Sequence, residues 1–183
     1  MGTALAVSQA KYWHLRKMGV FSSLADWELK QLVNIADLRL IKTGTEVYRS
    51  GELAHHFYVI RSGKVKLYRD LADGKRVILD YQGTGAVFGE GAALGEEVRS
   101  ESAVVVDDAF VCVIDRDQFA GYLRDHPDIA LQISRVVSQR RQRAEATTEA
   151  LLSQDVRTRL AHTLARLAHE HGLDDEVGRR VDL

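Results

Sequence analysis

The chain has 183 residues, 45% of them hydrophobic, with a formal net charge of −1 and a single cysteine. That size suits one large domain or one domain with an appendage, and the apolar content suffices for a real core. The near-zero charge gives no global case for nucleic-acid or membrane affinity. One cysteine excludes an internal disulfide and a Cys-rich metal site, and no run approaches the roughly 18 to 20 apolar residues of a membrane span.

Residues 1–37 read as a helical lead-in. Met1 to Ala10 lacks the basic start and apolar core of a secretory signal, so a cytoplasmic protein is expected. Val20, Phe21, Leu24, Trp27, Leu29, Leu32, Val33 and Ile35 recur near helical spacing, and Ser22 or Ser23 offers a cap for a helix beginning near Leu24.

Residues 38–125 read mostly as strands. Apolar residues alternate at Phe57-Val59, Val65-Leu67, Val77-Leu79-Tyr81 and Phe110-Cys112-Ile114. Turn signals fall at Thr43-Gly44-Thr45, Ser50-Gly51-Glu52, Ser62-Gly63-Lys64, Asp73-Gly74-Lys75 and Gly83-Thr84-Gly85, and Asp73-Gly74 is the strongest hairpin dipeptide. This rhythm predicts an all-β sandwich, barrel or roll. Cys112, inside an alternation, is expected to be a buried core thiol. His55 and His56 are adjacent, so alternation sends them to opposite faces, and no Glu follows at the spacing a metal site needs.

Phe88-Gly89-Glu90 opens the most informative stretch. Small residues and a Gly-Glu-Glu turn lead on to Arg99-Ser100-Glu101-Ser102-Ala103. Such an arch between strands, rich in backbone N–H groups and ending near a cation and hydroxyls, can hold an anion.

The rest reads as helix. Asp117 to Arg124 forms a short one, and Pro127 follows a break at Asp125-His126. Asp128 to Ser153 contains no Gly or Pro, which predicts a helix of about 26 residues, roughly 39 Å long. Such a helix needs a partner surface. Ile129, Ile133, Val136, Arg140, Ala144, Thr147 and Leu151 step by four and three, the pattern of a homodimer seam on which Arg140 and Thr147 fix register or touch a ligand. Asp155 caps a further helix to His171, with Leu160, Leu164, Leu167 and Ala168 on its apolar face and Gly172 as its stop. His162, His169 and His171 read as a polar helix face, and His14 as a packing or solvated residue. Arg135, Arg140, Arg141, Arg143, Arg157, Arg159 and Arg166 read first as solvated faces countered by Glu145 and Glu149, and second as anion or DNA-backbone contacts. Residues 174–183 carry little structural signal.

This order of elements resembles the cyclic-AMP receptor protein and fumarate-nitrate regulator superfamily of bacterial transcription regulators. Val20-Phe21-Ser22-Ser23-Leu24 looks like the family's opening helix, and Gly44, Val47-Tyr48 and Gly51-Glu52 like its first turns. Phe57-Tyr58-Val59-Ile60-Arg61-Ser62-Gly63-Lys64-Val65 is similar to its strand-turn-strand, and Gly89-Glu90 to the start of its phosphate-binding cassette. His126-Pro127-Asp128-Ile129 resembles the start of its dimerisation helix, and Asp155-Val156-Arg157-Thr158-Arg159-Leu160-Ala161 the first helix of its DNA-binding domain.

The resemblance implies a mainly β plus α fold: an N-terminal helix, a double-stranded β-helix (jelly-roll-like) sensor over 38–125, a dimerisation helix over 126–153, and over 154–183 the first part of a winged-helix domain whose helix-turn-helix lies outside this chain. It implies a dimeric, cytoplasmic regulator, an activator that works through DNA and RNA polymerase with a small-molecule effector and no membrane. The effector residues it suggests are Gly89, Glu90, Arg99, Ser100, Ser102, Arg140 and Thr147. In the family's cyclic-AMP binders an Arg-Ser pair stands just before the next strand, a position the sequence register gives to Glu101-Ser102. A carboxylate there repels phosphate, and Arg99 lies two residues too early for a strand side chain. The adenine-contacting hydroxyl pair falls at Ala144-Glu145. No cofactor is therefore assigned; a cyclic nucleotide is implied by the resemblance and opposed by Glu101, so a standard cyclic-AMP binder is not expected. No catalytic or metal residues are predicted. Two alternatives stand beside this reading: a cyclic-nucleotide-binding module that regulates a partner protein, and a cupin-like metalloenzyme.

Overall fold

The structure is a computed structural model that describes residues 11–13, 15–16, 21, 24–153, 155, 157–158, 160–161, 164–165, 173–175 and 178–180. It divides into two compact units, residues 1–133 and residues 134–183.

In the first unit the described residues 11–13 and 15–16 are helical, and α1, Asp26–Ile35, follows and buries Leu29, Leu32 and Val33. The Glu28 carboxylate accepts from the Ala25 N–H at 2.6 Å and satisfies one free donor of the first turn. The helix starts two residues later than the sequence suggests, and the Ser22 and Ser23 caps lie outside the described residues. Phe21 and Leu24 are buried, but Trp27 is 60% exposed and does not join the apolar face.

Strands β1 (Ala36–Ile41), β2 (Glu46–Tyr48), β3 (His56–Asp70), β4 (Arg76–Gln82), β5 (Val87–Phe88) and β6 (Ser102–Asp115) follow. They form one six-stranded antiparallel sheet in the order β1-β6-β3-β4, with β2 on β6 and β5 on β3. The two long strands carry it. His56 to Tyr68 of β3 pairs against Ser102 to Asp115 of β6, with register shifts between Ile60 and Val65. Ser62-Gly63-Lys64, read as a turn from sequence, is thus a bulged stretch of one 15-residue strand. Gly63 has φ +89°, and a β-carbon on it would lie 2.3 Å from the Asp108 carbonyl oxygen. It marks a close backbone approach, which a turn dipeptide and a bulge share as a sequence signal.

The roll interior holds Tyr48, Tyr58, Ile60, Val65, Leu67, Phe88, Ala103, Val105, Ala109, Val111 and Val113. Along β3, Phe57, Tyr58, Val59 and Ile60 are all buried, because helices cover its other face. Phe57 stacks on Phe119 at 4.5 Å. Each such ring contributes about 1.5–3 kcal/mol by leaving water. The same two-sided burial holds at Val111, Cys112, Val113 and Ile114, and burial pushes the Cys112 thiol up to about 11. Two expected alternations fail. Phe110 is 37% exposed, and the edge strand β4 leaves Val77, Ile78, Leu79 and Tyr81 all exposed.

Helix α2, Arg116–Asp125, is capped by Asp115, whose side chain accepts from the Asp117 and Gln118 N–H groups at 3.0 Å each. Helix α3, Pro127–Ser153, begins at the only proline. Between them His126 is buried at 4% exposure. Its Nδ1 lies 2.9 Å from Glu28 Oε1 and its Nε2 3.0 Å from Gln31 Oε1, and its ring packs 4.3 Å from Tyr122. That cluster ties α1 to the α2–α3 junction.

Ile129 and Ile133 are each 1% exposed and belong to this first core. They were expected on a seam between subunits. The structure spends them within the chain, because the first turns of α3 still lie over their own domain.

In the second unit α3 continues from Ser134. Val136 and Arg140 are half-buried, Ala144 and Thr147 exposed, and nothing is described of the Leu151 side chain. Asp155 accepts from the Thr158 N–H at 2.8 Å, the expected cap. Strands β7 (Leu173–Asp175) and β8 (Gly178–Arg180) pair antiparallel in a stretch that carries little signal in the sequence. His14, His162, His169, His171, Arg159, Arg166, Leu167, Ala168 and Gly172 lie outside the described residues.

Candidate functional site

The arch predicted after Phe88 is present, and its backbone is strapped from both sides. Phe88 pairs with Tyr58 across β5 and β3. The chain then enters a short 3-10 helix, Glu90–Leu94, and returns through a single bridge between Leu53 and Val98. The Ala54 N–H donates to the Glu97 carbonyl and the Arg99 N–H to the Glu52 carbonyl, both at 2.8 Å, while the Gly51 N–H donates to the Arg99 carbonyl at 2.9 Å. Ser102 accepts from the Ser50 N–H through its hydroxyl oxygen at 2.9 Å and then starts β6.

This strapping aims one cation inward. Arg99 is only 3% exposed. Its Nη1 donates to the Gly89 carbonyl at 2.9 Å and its Nη2 to the His56 carbonyl. Its guanidinium carbon sits 4.2 Å from the centre of the Tyr48 ring and 5.7 Å from that of Tyr58. Both rings stack with Phe88, at 6.1 and 4.8 Å, so three aromatic residues from β2, β3 and β5 form a floor beneath the charge. Its Nε is buried and has no hydrogen-bond partner among the described residues. Carbonyls and aromatic faces stabilise a guanidinium in part, but a buried charge with an unpartnered N–H carries a desolvation cost that an incoming anion offsets.

The local backbone places Arg99 differently from the expectation of strand alternation. β6 begins at Ser102, so residues 99–101 are loop, and strand alternation does not govern where they point. Arg99, not the pair Glu101-Ser102, approaches Gly89. Glu101 instead stands beside the Tyr48 hydroxyl, whose oxygen is 3.4 Å from its Oε1. Burial, and after it the Glu101 carboxylate, pushes the Tyr48 hydroxyl well above its ordinary range, and burial raises Tyr58 as well. Burial also lowers His56, against the nearby Asp115 carboxylate.

Of the predicted effector residues, Gly89 and Arg99 come together, Glu90 follows Gly89 directly, and the Ser102 hydroxyl is engaged by the Ser50 N–H. Ser100 is exposed, and its carbonyl accepts from Arg69 Nε at 2.9 Å. Arg140 and Thr147 belong to the second unit, where the Thr147 hydroxyl donates to the Arg143 carbonyl one turn back at 2.9 Å. At Ala144-Glu145, Glu145 pairs with Arg141. The sequence reading missed Tyr48, Tyr58 and Phe88 as a floor. Their signal was present only as aromatic residues at the inward positions of three separate strands, a pattern that equally marks an ordinary core.

Among the described residues no cluster of three or more metal-ligating side chains occurs, and no helix is long and apolar enough to cross a membrane. The sequence profile of the cyclic nucleotide-binding domain matches residues 38–126. The cyclic AMP receptor protein of Thermus thermophilus is 29% identical over 151 residues, 82% of this chain and 70% of that protein. A CRP-like cAMP-activated global transcriptional regulator of Mycobacterium tuberculosis is 29% identical over 167 residues, 91% of this chain and 75% of that one. The solved Thermus thermophilus catabolite activator protein superposes with a TM-score of 0.65 at 30% identity, covering 72% of this chain and 62% of that one. Residues 38–126 thus belong to the cyclic nucleotide-binding domain family, and the chain is a homologue of the CRP-like transcription regulators.

Proposed function

We propose that this chain is the effector-sensing and dimerisation portion of a CRP-like transcription regulator, and that its effector is a cyclic nucleotide whose phosphate is received by Arg99. The observation that carries the proposal is that Arg99 lies 3% exposed beside Gly89 with its buried Nε unpartnered among the described residues. A singly charged phosphodiester accepts from the unused N–H donors and fits their fork. Glu90, at the first position of the 3-10 helix, is placed to accept from a sugar hydroxyl, as the family resemblance implies. Glu101 stands beside the Tyr48 hydroxyl, at 3.4 Å.

The remainder of the proposal concerns the whole regulator. Two copies pair through the exposed part of α3, and residues 154–183 begin a winged-helix DNA-binding domain. The complete cytoplasmic protein activates transcription with RNA polymerase and carries no catalysis of its own. Effector binding acts by its differential affinity for two arrangements of the paired helices.

Calorimetric titration with cyclic AMP, cyclic GMP and cyclic di-GMP tests the effector assignment. Saturable binding of one nucleotide per subunit is expected, together with a raised melting temperature. Arg99→Gln removes a charge-assisted contact and is expected to weaken that binding about 10- to 100-fold. A wild-type protein that gives neither heat nor a melting shift with any of the three overturns the proposal.

A further inference from the structure

Resting on the reading that Arg99 receives the effector's phosphate, we infer that Tyr48 is a positioning residue for that cation: its ring fixes the guanidinium plane so that the donor edge stays open to an anion. A guanidinium carries five N–H donors around its edge and none on its face. The two hydrogen bonds that hold Arg99, to the Gly89 and His56 carbonyls, use two of them. The Tyr48 ring, 4.2 Å from the guanidinium carbon, takes the face and uses none. At most three donors remain, and the buried Nε is one of them. A carboxylate in place of the ring would hold the cation more strongly but would consume the same edge that a phosphate needs.

Tyr48 is itself held for this task. It closes the short strand β2, pairs with Ala103 of β6, and is 5% exposed. Its ring stacks against Tyr58 at 5.7 Å and Phe88 at 6.1 Å. Tyr58 lies farther from the guanidinium, at 5.7 Å, so Tyr48 supplies the larger share of the cation–π attraction. The Tyr48 hydroxyl reaches Glu101 only at 3.4 Å, a long contact beside the ring packing. The ring, not the hydroxyl, is the working part.

The test compares nucleotides with their phosphate-free nucleosides: cyclic AMP with adenosine, and cyclic GMP with guanosine. Each pair is titrated into the wild type, Tyr48→Phe and Tyr48→Met, with melting curves for all three. The Phe variant keeps the ring and is expected to bind the cyclic nucleotide within about twofold of wild type, whereas the Met variant, which fills the volume without the ring, is expected to bind it roughly tenfold or more weakly. Nucleoside affinity is expected to stay level across the three proteins, since only the phosphate contact depends on Arg99. Unchanged cyclic-nucleotide binding in the Met variant, or equal losses for nucleotide and nucleoside, overturns the inference while the effector assignment stands. A Met variant that does not fold leaves the wild type to decide by NMR. The Arg99 Cδ protons must then be shifted upfield by the ring current and remain so at saturating ligand; ordinary shifts overturn the inference. A wild type that takes up no cyclic nucleotide overturns both readings together.

Discussion

Two glycines show how differently one residue type can be constrained. Gly63 and Gly89 both have positive φ, +89° and +65°. At Gly89 an added β-carbon meets the end of a side chain, Arg99 Nη1 at 2.7 Å, with Tyr58 Cδ2 next at 3.2 Å. At Gly63 it meets backbone on every side: the Asp108 carbonyl oxygen at 2.3 Å, the Ala109 α-carbon at 2.6 Å and the Asp107 carbonyl oxygen at 2.8 Å. The left-handed backbone costs an alanine about 1–2 kcal/mol at either site, and overpacking against fixed backbone adds about 1–3 kcal/mol at Gly63. Urea unfolding is therefore expected to show Gly63→Ala as the more destabilised variant by at least about 1 kcal/mol. The order of function is expected to invert, because Gly89→Ala displaces the guanidinium and weakens nucleotide binding. Equal stability losses in the two variants would mean that the β3–β6 approach at Gly63 can relax.

At the scale of elements, the step from β6 into α2 rests on a cap that the sequence reading passed over. Asp115 is the last residue of β6 and accepts from two N–H groups of the following turn. Asp115→Ala is expected to cost about 0.5–2 kcal/mol in chemical denaturation, and Asp115→Asn, which keeps the acceptor, much less. If the Asn variant falls as far as the Ala variant, the role of Asp115 lies in its charge and not in capping. Asp115 was hidden because it also ends an alternating strand, and sequence alone does not say that a strand turns directly into a helix. Other elements were legible for the converse reason. The long helix was plain from 26 residues without Gly or Pro, and the β4 hairpin from Asp73-Gly74. Gly89 and Glu90 could be picked out because small residues and a Gly-Glu step are rare inside a core strand. Arg99 is a candidate from sequence, but its inward direction is not legible there, because period-two reasoning does not hold in a loop where the side-chain direction is set by backbone bonds to Gly51 and Glu52. The aromatic floor was illegible because Tyr48, Tyr58 and Phe88 are far apart in sequence and meet only once β2, β3 and β5 are registered.

At the scale of the molecule, the question is which residues of α3 are left for a second copy. The helix has 27 residues, about 40 Å of length. Ile129 and Ile133, its first two stripe positions, are each 1% exposed within their own chain, and the residues from Arg141 to Glu149 are exposed. A helix segment that exposed is not stable by propensity alone and gains most from packing. The proposed seam therefore starts two turns later than the sequence pattern suggests, at Val136, and runs through Arg140, Ala144 and Thr147. Substitutions on the two sides of that line should separate cleanly. Ile133→Ala leaves a cavity and is expected to destabilise the β-roll by about 2–5 kcal/mol with little change in self-association of the folded protein. Ala144→Glu places two like charges across the seam and is expected to raise the dimer dissociation constant at least about tenfold while the roll melts as before. Sedimentation equilibrium with melting curves reads both effects. A wild type that sediments as a monomer across the accessible concentration range, or an Ala144→Glu variant that still sediments as the wild-type dimer, removes the seam from this face of α3. The exposed apolar side chains of β4 would then be the next surface to examine for self-association.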